Sequence, residues 1–271
     1  MAKKYALRRG RSILSSFLHV ALNILLGVGS IIVTAISGSW ILGILLVIIS
    51  KWRVFAVRPR FWWANIKANL VDFIVGASFV LLAYAANSAS LAIPLGVLPS
   101  LPLIYVILAI GYTLWLIFLK PLSSERATAA QSLVAVFLGV SAAATMAGAV
   151  DSIWLSLICF IIGYGAARHV LIQNDEKDFF LLSFLAGLLF AEIAWLSQSW
   201  LIIYTFFDGS IIIPQLALIL TIFSFVLGTV YKTLFKHEGK IHFADVAIPV
   251  IFSILLIAII VIGFSQPIFN K

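Results

Sequence analysis

Few side chains in this sequence are equipped to do chemistry, and most of them stand among apolar neighbours. Glu192 is the clearest. It lies in the run Phe179 to Tyr204, 13 residues from one end and 12 from the other. At 1.5 Å of rise per residue that is about 20 Å along a helix, half of a membrane crossing with its margins. An acid at that depth costs about 2.5–3.5 kcal/mol on insertion scales. It is therefore expected to face the bundle interior, either binding a proton or cation or serving as a neutral acid hydrogen-bonded to a neighbouring helix. His19 and Asn23 are four residues apart and share a helical face with Ser15, Gly27 and Ser30. Asn23 falls about 15 Å from the same end of its own run, so Glu192, Asn23 and His19 form the expected midplane site. Plain interhelical hydrogen bonding, worth about 0.6 kcal/mol on average, is the simpler account of the asparagine.

Other chemistry is disfavoured by type and spacing. His237 and His242 flank Glu238 and Gly239 but are five apart, whereas a zinc helix places its two histidines four apart on one face. One cysteine, Cys159, excludes an intramolecular disulfide and a cysteine-rich metal site. No phosphate-binding loop, nucleophile elbow or dinucleotide fingerprint occurs in a usable context, so no cofactor is expected and enzymatic activity is not favoured.

The elements that must position these groups follow from composition. Of 271 residues, 63% are apolar, and only 18 Lys and Arg and 10 Asp and Glu are charged. Soluble domains carry about 45–50% apolar and about 25% charged residues, so the surplus requires a bilayer. The expected fold is an all-α, polytopic integral membrane helix bundle in one domain. Its spans fall near 13–36, 38–55, 69–87, 100–119, 127–150, 152–171, 179–204, 211–235 and 246–264, nine in all. Charge bias sets the orientation, because short cytoplasmic loops collect Lys and Arg. If residues 13–50 turn at Ser37-Gly38-Ser39 and cross twice, 17 of the 18 bases lie on one side; a single crossing splits them 12 to 6, while a re-entrant hairpin keeps both flanks inside and gives the same tally as two crossings. The amino terminus is thus expected inside and the carboxyl terminus outside, with the first run retained rather than cleaved as a signal peptide. The net charge of +8 then reflects topology, and nucleic acid is not an expected partner.

The segment Lys51 to Lys67 mixes bases with aromatic rings. Aromatic side chains favour the headgroup level, and each base near an anionic surface contributes about 1 kcal/mol. Arg53, Arg58, Arg60, Trp62, Trp63 and Lys67 are the expected contacts to anionic lipid or to a membrane-protein partner. Asp72, one turn into the third span, is expected to be neutralised by Arg58, Arg60 or Lys67. Small residues recur every four positions at Ala135, Gly139, Ala143 and Ala147, at Cys159, Gly163 and Ala167, and at Ser183, Gly187 and Ala191. Such stripes let helix backbones approach closely in lipid.

The run Lys51-Trp-Arg-Val-Phe-Ala-Val-Arg-Pro-Arg-Phe-Trp-Trp-Ala-Asn-Ile-Lys-Ala-Asn-Leu-Val-Asp72 resembles uncharacterised polytopic membrane proteins of ultrasmall, Saccharibacteria-like candidate-phylum bacteria. The resemblance covers about one tenth of the chain and implies a bacterial cytoplasmic membrane. Ala68 followed by Asp72 is also similar to the RDD family, but Asn65 stands where that family places an arginine, and no site residue is carried over. Two functions remain open. One is a transporter-like carrier with a midplane site around Glu192. The other is a non-catalytic subunit or scaffold that binds a partner protein or anionic lipid through residues 51–67, alone or as a homo-oligomer.

Overall fold

Backbone N–H and C=O groups have no water to bond inside hydrocarbon, so long apolar runs satisfy them internally by coiling. The chain does this almost throughout. A computed structural model describes residues 13–90, 103–147, 151–200, 202–206, 211–236 and 243–263; the His237–His242 stretch and the basic residues before Ile13 lie outside them. Helix α1 (Ile13–Ser37) stops at Gly38, whose φ of 61° is left-handed. Its N–H bonds back to the Thr34 carbonyl at 3.1 Å, the usual glycine ending of a helix. The chain reverses there into α2 (Trp40–Ser50), at the turn the sequence indicates.

Next come α3 (Trp52–Phe55), a 3-10 turn opened by Pro59, and α4 (Trp62–Ala68). A break at Asn69 turns the chain by 71° between Pro59–Ala68 and the start of α5 (Leu70–Ser90). Helix α6 (Leu103–Leu114) runs into a π turn, Trp115–Leu119. Helix α7 (Glu125–Met146) is capped by the Ser124 hydroxyl, which accepts from the Ala127 N–H at 3.3 Å, and Glu125 suits the positive end of the helix dipole. Helices α8 (Ser152–Gln173), α9 (Phe179–Ser197), α10 (Gln215–Lys236) and α11 (Phe243–Ala258) follow.

Among the described residues six helices are each long and apolar enough to cross a membrane, or seven if the bent pair Pro59–Ala68 and Leu70–Ala86 is counted as one span. The nine runs expected from the sequence each correspond to an apolar helix, but α2 and the α6 segment are shorter than a full crossing. The run Phe179–Tyr204 is not one helix: α9 ends at Ser197, and Ile203–Phe206 pairs antiparallel with Ile211–Pro214. Both strands are rich in β-branched and aromatic residues, which suit an extended, half-buried ribbon.

The small-residue stripes lie in the core. Ala135, Ala143, Cys159 and Ser183 are almost fully buried. The α8–α9 pair is the most extensive contact in the bundle; Phe190 lies directly over Gly163, and a methyl group on Gly187 would stand 2.9 Å from the Phe160 carbonyl oxygen. The outward faces carry large exposed apolar side chains, among them Leu25, Leu196, Ile248 and Phe252. A surface of that kind fits lipid rather than water.

Candidate functional site

Among the described residues the densest cluster of charge gathers around Asp72. Lys51, which follows α2, and Lys120, which follows the π turn, both pair with the Oδ2 of Asp72 in the first turn of α5, the latter at 2.8 Å. The Trp115 indole N–H donates to Oδ1 of the same carboxylate at 3.1 Å. Asp72 therefore has both oxygens engaged, by three side chains from two places in the chain, the end of α2 and the π turn. The two bases differ in surroundings: the Lys51 side chain is 4% exposed and that of Lys120 39%.

The π turn explains how Trp115 and Lys120 reach one carboxylate. Residues five apart on an α-helix stand about 140° apart around the axis. A turn closed by an i→i+5 hydrogen bond stacks them instead, and here the Lys120 N–H bonds the Trp115 carbonyl at 2.9 Å. Gln131 of α7 fastens this turn, donating its Nε2 to the Leu119 carbonyl at 2.7 Å and the Leu122 carbonyl at 2.9 Å. With both amide hydrogens committed, its Oε1 accepts, and the Nε2 of His169 is the donor at 2.7 Å. A polar chain thus runs from α8 through α7 to the ion cluster. Its neutralising partners differ from those expected, since Arg58, Arg60 and Lys67 belong to a segment that turns away at Asn69.

That segment forms a basic, aromatic ledge. Trp62 donates to the Phe55 and Val57 carbonyls, both at 3.0 Å, and Asn65 to the Val54 carbonyl at 3.2 Å. Arg168 of α8 holds the Lys67 carbonyl at 2.9 Å. Lys67 lies over the Trp63 ring at 5.4 Å, and Arg60 over Phe61 at 4.6 Å. The ledge is pinned to the bundle by its backbone, leaving Arg53, Arg58, Arg60, Trp62 and Trp63 exposed and Lys67 half-buried. Its 71° angle to α5 sets it crosswise to a spanning helix.

The expected midplane site is dispersed. Asn23 donates its amide to the His19 carbonyl at 2.9 Å and lies 3.3 Å from the His19 Nε2, but His19 is exposed on α1, which packs on α2, α5 and α6. Glu192 belongs to α9, which packs chiefly on α8. Contrary to expectation, its side chain is exposed rather than turned inward. The small side chains Ser183, Gly187 and Ala194 take the α8-facing side, and Glu192 falls on the opposite face. Among the described residues an apolar groove of about 420 Å³ lies between α1 and α6, lined by Ile31 and Tyr105, and a cavity of about 200 Å³ lies among α7, α8, α9 and α10, beside Phe190 and Gly228. Neither is lined by the three expected residues. Among the described residues no three His, Cys, Asp or Glu side chains gather to hold a metal.

Lys51, Lys120, Trp115, Gln131 and His169 were not singled out by sequence reasoning. Lys51 and Lys120 each immediately follow an apolar helical segment, and Asp72 is the first acid in the chain. No protein-family model matches the chain, and neither curated proteins nor solved structures give a significant match.

Proposed function

We propose that this chain is a nine-span protein of a bacterial cytoplasmic membrane, with its amino terminus and basic end inside, acting as a non-catalytic scaffold or subunit that binds anionic lipid through residues 51–67. The observation that carries this reading is the ledge. It leaves Arg53, Arg58, Arg60, Trp62 and Trp63 exposed, with Pro59–Ala68 crosswise to α5, on a backbone secured by Trp62, Asn65 and Arg168. Arg53 and Arg58 have no acidic partner among the described residues, so their charge is available to lipid phosphate. The charge bias of the loops supports the orientation, and the resemblance of residues 51–72 supports the bacterial address. A carrier acting through Glu192, Asn23 and His19 has weaker support, because it asks residues on separately packed helices to share one space.

The test is lipid selectivity. Protein released from nanodiscs of equal phosphatidylglycerol and phosphatidylcholine into native mass spectrometry is expected to retain the anionic lipid preferentially. Arg53→Gln/Arg58→Gln/Arg60→Gln is expected to lower that preference by about fivefold per base at low salt, following about 1 kcal/mol each. Equal retention of both lipids by the unaltered protein, or an unchanged preference in the triple variant, contradicts the reading. Proton-coupled uptake abolished by Glu192→Gln in sealed vesicles would instead favour the carrier.

A further inference from the structure

The side of α9 turned away from α8 has a sequence rhythm of its own. Leu181, Leu185, Leu188, Glu192 and Trp195 are all exposed, and their spacing is four, three, four, three. That is the heptad seam of a two-stranded helix pair, with large apolar residues at the a and d positions and one polar group at an a position. Glu192 has no hydrogen-bond or ion-pair partner among the described residues. In a single copy of the chain its carboxyl would stand in hydrocarbon among leucines, an unfavourable place that a second hydrogen-bonding group relieves.

We propose that this face of α9 binds α9 of a second copy of the chain, about a twofold axis along the membrane normal, with the two Glu192 carboxyls hydrogen-bonded to each other. Two copies inserted in the same orientation and related by such an axis bring each seam residue against itself at equal depth, so the acid meets the acid. A protonated carboxyl is at once donor and acceptor; a pair of them satisfies both groups, and the neutral form removes the like-charge repulsion. A basic partner is the rival occupant. Arg168, the basic residue within α8, is committed to the Lys67 carbonyl at 2.9 Å near the basic end, and no Lys or Arg lies within α9. Neither α8 nor α9 therefore offers a free Lys or Arg to this face, whereas the seam and the self-matching acid require only a second copy of α9. A lone polar residue at an a position is also the device by which paired helices fix register and oligomeric state. The inference rests on α9 and is independent of the ledge.

Förster transfer between donor- and acceptor-labelled full-length protein in vesicles, measured over a range of protein-to-lipid ratios, tests it. The unaltered protein is expected to dimerise. Glu192→Gln, whose amide also donates and accepts, should dimerise within about threefold of it, and Glu192→Leu should weaken the dimer about tenfold or more through loss of two interhelical hydrogen bonds. Glu192→Leu removes an acid from a lipid-facing surface, so its fold should persist, and helicity by circular dichroism confirms this. In a Cys159→Ala background, Leu188→Cys should cross-link as a dimer and Ala186→Cys, on the cavity side of α9, should not. Undiminished association of Glu192→Leu, a wild type monomeric at every ratio, or cross-linking at Ala186→Cys equal to that at Leu188→Cys overturns the proposal.

Discussion

Removing the charge of Asp72 tests the ion cluster most severely. Asp72→Asn keeps the shape but leaves two ammonium groups facing each other, one of them on a side chain only 4% exposed. Removing one partner of a buried ion pair costs about 3–5 kcal/mol. A separate argument gives the same scale, since a lysine forced to be neutral at pH 7 from an ordinary pKa near 10.4 costs about 4–5 kcal/mol. Lys120 is 39% exposed, so Lys120→Met should cost no more than about 1 kcal/mol. Lys51→Met leaves the carboxylate bonded to Lys120 and Trp115 and should fall between, at about 1–3 kcal/mol. The assay is reversible unfolding in mixed micelles, titrated with dodecyl sulfate and followed by circular dichroism. A loss from Lys120→Met equal to that from Asp72→Asn, or an Asp72→Asn protein within about 1 kcal/mol of wild type, refutes the reasoning.

Other perturbations probe the packing and the π turn. Gly187→Ala should destabilise by about 1–3 kcal/mol, because its methyl group would meet the Phe160 backbone oxygen at 2.9 Å and backbone cannot step aside; Gly228→Ala, with open space around it, should be neutral or stabilising in the same titration. Gln131→Leu strips donors from the Leu119 and Leu122 carbonyls and an acceptor from His169, a loss of about 1–3 kcal/mol. In that variant Lys120 should also become more accessible to acylating reagents, read by peptide mass spectrometry.

The helices were legible because hydrophobicity dominates them: among the described residues most of each apolar run is helical, and the turn at Gly38 was marked by its residues. Two features were not. The π turn leaves no periodic trace, so the convergence of Trp115 and Lys120 on Asp72 could not be read, and the basic residues nearest Asp72 in sequence were preferred to Lys51 and Lys120. Burial of Glu192 was inferred from cost, on the assumption that one chain must satisfy its own polar groups. The stripe Ser183, Gly187 and Ala191 already indicated which side of that helix packs inward, and Glu192 is not on it. The ribbon of Ile203–Phe206 and Ile211–Pro214 was absorbed into flanking spans because apolar strands and apolar helices share composition.

The claim beneath the lipid reading is that the ledge faces the cytoplasm, with both short helices crossing. Membrane-impermeant maleimide applied to intact cells tests it, using Ser39→Cys and Ala56→Cys in a Cys159→Ala background. The account predicts labelling at position 39 and protection at position 56 until the cells are opened. Labelling at 56 in intact cells with protection at 39 would contradict it.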